Sequence, residues 1–150
     1  MFEPNALQPE KIHLAEFRIL QGQLNSPIDF KLKHIQSYRS DVGFDMAFYL
    51  AKKLVKADIQ INVETESSGK NKAEAKGFFH IAFFFTVDNM EGLAIETDSK
   101  HLEIHPGLAN AIASITYSTA RGVILSRFQG TALCDFILPV IDPNTLLKGK

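Results

Sequence analysis

Residues 107–129 read GLANAIASITYSTARGVILSRFQ, and the fold turns on what this stretch is. As a helix it would run for roughly 34 Å at about 1.5 Å per residue. No charged side chain occurs between Pro106 and Arg121, and after that only Arg121 and Arg127. A surface helix keeps one charged face for water, whereas a helix without one is buried on all sides. One sheet covers one side only, so a second cover is expected, most simply another copy of the chain. The Ser, Thr and Tyr residues, with Arg121, argue against a membrane span.

Strand patterns precede this helix. Val42, Phe44, Met46, Phe48 and Leu50 alternate with Gly43, Asp45, Ala47 and Tyr49, which predicts a strand with one buried face. A second strand is expected over 54–66, where Val55, Ala57, Ile59, Ile61 and Val63 alternate with polar residues. Ser67-Ser68-Gly69-Lys70-Asn71 reads as the turn of a hairpin into a strand over 72–87. That strand ends as IAFFFTV, apolar on both faces, as expected of a central position or an oligomer contact. Upstream, 11–24 is strand-like with a break near Ala15-Glu16 that fits a bulge.

Residues 28–41 show no clean period and read as a long connection. Residues 93–105 read as short, polar and irregular. After the long helix come Gly130, an apolar loop, and a short helix with Asp142 as N-cap and Pro143 at its first position. Strands first and helices last predict an α+β fold, an antiparallel sheet with helices on one side. The whole chain, 1–150, is expected to be one domain, with residues 1–10 as a loose arm.

Composition excludes several classes. A net charge of -1 argues against nucleic-acid binding through phosphate neutralisation, and no basic cluster suggests a membrane surface. The single Cys134, beside Leu133 and Phe136, reads as an inert buried thiol and fits a reducing compartment. The N-terminal residues lack a signal-peptide pattern, so a cytoplasmic location is expected.

Candidate chemistry is thin. In an extended segment His101, Glu103 and His105 would share one face, a spacing compatible with zinc, yet it equally describes an edge strand with a wet face. His80 sits among Phe78, Phe79 and Ile81 and reads as a structural histidine. His13 and His34 have no acid or nucleophile beside them in sequence. No constellation supports covalent or acid–base catalysis, so neither an enzyme nor a cofactor is expected.

Apolar residues stand instead where solvated loops are expected: Phe30, Ile35 and Tyr38 in the connection, Phe136, Ile137, Leu138 and Ile141 after the helix, Leu146 and Leu147 in the last one. They either tuck onto the core or, with Leu24, line a groove for apolar peptide or a lipid-like ligand.

The C-terminal third carries Ala120-Arg121, then Ser126-Arg127 and Gly130, then Pro139-Val140-Ile141-Asp142-Pro143-Asn144-Thr145-Leu146-Leu147. With the strand ending Phe84-Phe85-Thr86-Val87, this order resembles the SecB export-chaperone family over about residues 11–147. The resemblance implies a four-stranded antiparallel sheet with a crossover between its first two strands, one long helix and one short. It implies an ATP-independent holdase for unfolded clients, with grooves lined by the crossover and C-terminal segments. It also implies a homotetramer, a dimer of dimers, in which Ala109, Ala113, Thr116, Ala120 and Gly122 allow close helix approach. On that expectation Ala113→Glu splits the tetramer before it unfolds the subunit.

The chain departs from the family in charge. The family docks the SecA motor through carboxylates on its first and fourth strands. The matching positions here read Arg18-Ile19-Leu20-Gln21-Gly22-Gln23 and about Phe78, which argues against that partner. Protein export and the guarding of an antitoxin both remain open at this point. So does a carrier of a small apolar ligand in a closed Phe-lined cavity.

Overall fold

The alternation over 54–66 becomes the centre of the protein. In the computed structural model, which describes residues 2–98 and 100–148, Val55, Ala57, Ile59, Ile61 and Val63 are each at most 2% exposed. They lie on β3 (Leu54–Glu66), which pairs antiparallel with β4 (Lys76–Val87) on one side and β2 (Ser37–Tyr49) on the other. The first strand, β1 (Ile12–Asn25), pairs with the far side of β4. The sheet order is therefore β1-β4-β3-β2. Consecutive strands β1 and β2 sit at opposite edges, three strand spacings or about 14 Å apart. The connection over 26–36 has to cross that gap.

The long helix α1 (Pro106–Arg127) lies against β3 and β4. Its buried side chains, Leu108, Ile112, Ala113, Thr116, Tyr117, Ala120 and Ile124, recur at helical spacing and form one stripe. They share one core with Phe79, Phe83 and Phe85 of β4. His105 caps the helix, its Nδ1 accepting from the Gly107 N–H at 2.9 Å. Pro106 follows at the first position, where its missing N–H costs nothing.

Phe128 and Leu133, just past the helix, press onto the β4 backbone at Gly77. A Cβ there would stand 3.0 Å from Leu133 and 3.1 Å from Phe128, so this close approach depends on glycine. A short helix, α2 (Asn144–Lys148), packs against β2. Asp142 Oδ1 accepts from the Asn144 N–H at 3.0 Å, the capping contact expected there.

Several elements differ from the sequence reading. β2 begins at Ser37, well before Val42, because Ser37 and Arg39 pair across the ladder with Glu66 and Glu64 at 2.9 and 3.1 Å. Polar cross-strand pairs, rather than apolar alternation, carry that end. β4 begins at Lys76, and residues 67–75 form a longer turn than expected. Within 93–105, β5 (Ala94–Glu96) and β6 (Leu102–Ile104) form a small hairpin. β1 has a register shift between Leu14 and Glu16, where the break in alternation pointed, and a second between Ile19 and Gln21. The N-terminal arm lies against the start of α1, with the Phe2 and His105 rings 5.2 Å apart and Asn89 Nδ2 donating to the Ala6 carbonyl at 2.7 Å.

The small residues expected at a helix crossing divide between the two sides of α1. Ala113, Thr116 and Ala120 are fully buried against the chain's own sheet, where small side chains let the helix approach the aromatic face of β4. Ala109 is half-buried, and Gly122 is exposed with open space where a Cβ would stand. A charge at Ala113 therefore enters the subunit core, not an outer face.

Two outcomes follow for equilibrium unfolding in denaturant. Ala113→Glu is expected to destabilise the subunit by roughly 3–5 kcal/mol, the cost of an uncompensated buried charge. Thr116 Oγ1 is buried without a hydrogen-bond partner. Thr116→Val keeps its shape while removing that cost, and is expected to stabilise the fold by about 1 kcal/mol.

Candidate functional site

The irregular C-terminal segment, residues 128–143, has to be held by side chains because it joins no ladder. Tyr117 of α1 donates its hydroxyl to the Pro139 carbonyl at 2.6 Å. One helical turn on, Arg121 Nε donates to the Leu138 carbonyl at 2.7 Å. Asn110 Nδ2 reaches Asn144 Oδ1 at 3.0 Å. The segment is thus strapped along α1 at two points, and the start of the following helix at a third. Burial pushes the Tyr117 phenol above its ordinary pKa, so it stays a donor at neutral pH.

The same segment reaches β2 through aromatic contacts. The Tyr38 and Phe136 rings lie 5.2 Å apart and tilted, and Phe136 lies 6.4 Å from Phe128. Burial, then the neighbouring Asp135 and Cys134, raises the Tyr38 phenol. Cys134 itself is free and half-buried. The Ala132 N–H donates to Ser26 Oγ at 2.9 Å, which joins this segment to the start of the crossover.

The expected groove residues separate by burial. Phe136, Leu138 and Leu146 are at most 8% exposed and belong to the core. Leu24, Phe30, Tyr38, Ile141 and Leu147 are half-buried against it, and Ile35 is half-buried. Ile137 is 53% exposed. Apolar side chains that the sequence reading passed over are more open still: Ile28 is fully exposed, Val140 85% and Leu32 43%. Val140 and Ile141 line a cleft of about 240 Å³ with Ser114, Tyr117, Ser118 and Arg121. Leu24 lies in a different cleft of about 400 Å³, between β1 and the end of α1, with Ile19, Phe79 and Arg127.

Two edges flank this surface. β2 pairs with β3 alone among the described residues, so its outer side is an edge with no neighbouring strand, although the Met46 N–H there donates to Asp45 Oδ1 at 3.0 Å. Its inward row, Val42, Phe44, Met46 and Phe48, is half-buried. At the other edge, Leu14, Phe17 and Leu20 of β1 are 41, 44 and 50% exposed. Alternation placed β1 in a sheet but carried no sign that its inward side chains go uncovered.

The sheet face away from the helices is mostly polar, with Phe78, Ala82 and Phe84 of β4 as its apolar strip. Its largest cleft, about 500 Å³, is lined by Gln23, Asn25, Arg39, Asp41, Asn62, Glu64, Lys76 and Phe78. His80 shares this face, with Nε2 2.9 Å from Asp58 Oδ1, an ordinary paired histidine. His101 and Glu103 are exposed on β6 and its approach, whereas His105 is spent on capping α1. Among the described residues no three His, Cys, Asp or Glu side chains converge as metal ligands. Nor is any described helix long and apolar enough to cross a membrane.

The turn joining β3 to β4 is organised by Glu74. Its carboxylate accepts from the Ser67 hydroxyl and N–H and from Thr65 Oγ1. The Ser67 hydroxyl bond is the main reason that its pKa lies below the ordinary carboxylate value. A carboxyl depressed in the folded state adds stability above its unfolded pKa, about 4.3, and loses that contribution as pH falls. Glu74→Gln should therefore melt lower than wild type at pH 7, and the gap between the two thermal midpoints should narrow as pH falls below the unfolded carboxylate value.

No family model matches this sequence, and no curated protein matches it. Among solved structures, the fold is similar to the Rv1957 SecB-like chaperone of Mycobacterium tuberculosis, solved in complex with a ChAD peptide from the Rv1956 HigA1 antitoxin. The TM-score is 0.58 at 17% identity, covering 88% of this chain and 91% of that one. A protein of unknown function from Streptococcus agalactiae also matches, at a TM-score of 0.37 and 12% identity over 86% of this chain and 97% of that one, too distant to carry an argument. A four-stranded antiparallel sheet with a first-to-second strand crossover, one long helix and one short C-terminal helix is the SecB-like fold, and this chain has it.

Proposed function

We propose that the protein is an ATP-independent cytoplasmic holdase that keeps extended apolar segments of unfolded clients from aggregating. The observation that carries this reading is the run of exposed Ile28, Leu32, Ile137 and Val140 on the crossover and C-terminal segments, in a fold whose β2 edge is open. An extended client can add to a free edge through main-chain hydrogen bonds, while alternate side chains enter apolar pockets. No nucleotide or cofactor is needed for such binding.

The likeness to a chaperone solved with an antitoxin peptide favours an antitoxin, or a similarly aggregation-prone protein, as the client. Export through SecA is the weaker reading, because the run Arg18–Gln23 and the position at about Phe78, which the resemblance aligns with the family's docking acids, carry no carboxylate.

Assembly as a dimer of dimers is part of the proposal. The outward side of α1 shows Ile115, Ser118 and Gly122 and no charge before Arg121, and β1 leaves Leu14, Phe17 and Leu20 half-exposed. A second copy would cover both.

The direct test is suppression of aggregation of a reduced, unfolded client at near-stoichiometric ratio, without nucleotide. Protection is expected, and its absence sinks the reading. For assembly, Gly122→Glu places a charge in open space on the outer helix face. Light scattering should show a smaller particle with the subunit's fold retained by circular dichroism. An unchanged mass for Gly122→Glu and for Phe17→Glu alike would overturn the tetramer.

A further inference from the structure

The crossover is held in place by polar contacts with the turn that joins β3 to β4. Between Ser26 and Gln36 it contains one 3-10 turn, Leu32–His34, immediately after Lys31. The Lys31 N–H donates to Asn71 Oδ1 at 3.0 Å, and Asn71 Nδ2 donates to the Lys31 carbonyl at 3.3 Å. One side-chain amide thus takes both backbone groups of one residue, as a neighbouring strand would. At the far end, Gln36 gives its N–H to the Glu66 carbonyl at 2.8 Å and accepts from Ser68 Oγ at 2.7 Å.

The turn holds Asn71 ready for this contact. Ser68 and Gly69 have φ of 50° and 78°, and the Lys70 N–H donates to the Ser67 carbonyl at 3.0 Å. Two left-handed central residues are the mark of a tight hairpin turn, and Gly69 takes one without strain. Ser67 is fully buried and bonded to Glu74, and its Oγ accepts from Asn71 Nδ2 at 3.1 Å. Asn71 is itself 8% exposed. A buried amide that loses its partners is costly, so the crossover cannot drift from it freely.

We propose that Asn71 is the positioning residue of the client groove: its clasp on the Lys31 backbone sets where Leu32 and Ile35 stand. This rests on the holdase reading for its consequence, but not for its geometry. Phe30 is half-buried and Leu32 is 43% exposed, so apolar contact alone leaves the wall loosely placed.

The test is amide hydrogen exchange on the intact protein, wild type against Asn71→Ala, paired with affinity for a fluorescent apolar peptide. Exchange over 28–36 should rise at least about tenfold, the effect of losing two backbone hydrogen bonds. The amides of β3 and β4 should hold and the thermal midpoint should fall by only about a few degrees, while peptide affinity falls. Asn71→Asp, which keeps the acceptor for the Lys31 N–H and loses the donor, should lie between the two and guards against a folding failure of the alanine variant. Unchanged exchange over 28–36 in both variants would overturn the clasp, as would an equal rise across the whole sheet. A local rise with peptide affinity unaltered would overturn the positioning role. If wild type binds no peptide, the holdase reading fails separately and the exchange data still decide the clasp.

Discussion

One helix covers two strands. An α-helix with its side chains is about 10 Å across and strands lie about 4.8 Å apart, so a single helix seals only about two of them. Here α1 takes β3 and β4, and the core forms between them, with Phe83, Phe85 and Phe128 fully buried. Everything else answers the question of what covers β1 and β2. The C-terminal segment and α2 cover β2. Leu14 and Phe17 of β1 are left 41 and 44% exposed, with the Phe17 ring stacked on Phe83 at its inner side.

The cover over β2 is irregular backbone, and irregular backbone needs partners for its polar groups. Tyr117 and Arg121 supply donors to the carbonyls of Pro139 and Leu138. Asn71 does the corresponding work for the crossover. Two loops without ladders are thereby set beside an open edge strand, with apolar side chains left on their outer surfaces.

How much of this was legible follows from the range of each signal. The buried strands β3 and β4 and the helix α1 announced themselves, since alternation and helical spacing are local properties. The bulge near Ala15 was legible for the same reason. Ser37–Asp41 was not, because that part of β2 is held by pairs with Glu64 and Glu66, distant in sequence. The apolar residues of the loops were legible as a class but could not be sorted by burial: Phe136 and Ile137 are neighbours of like hydrophobicity, yet one is core and the other half-exposed. Asn71 gave no local sign beyond a polar turn.

By itself, then, the sequence determined the four strands of the main sheet, the two helices, their order, and the fact that α1 carries no charged face. A helix with no charge over roughly its first four turns must be covered there, and that follows from the sequence alone. Which face meets which cover was decided only by the tertiary structure. Ala113, Thr116 and Ala120 face the chain's own sheet, while Ile115, Ser118 and Gly122 face outward. Small and apolar residues occur on both sides of the helix, so hydrophobicity could not choose between them. The choice came from packing against β3 and β4, where Leu108, Ile112, Tyr117 and Ile124 fill the core and Ala113, Thr116 and Ala120 fit between them.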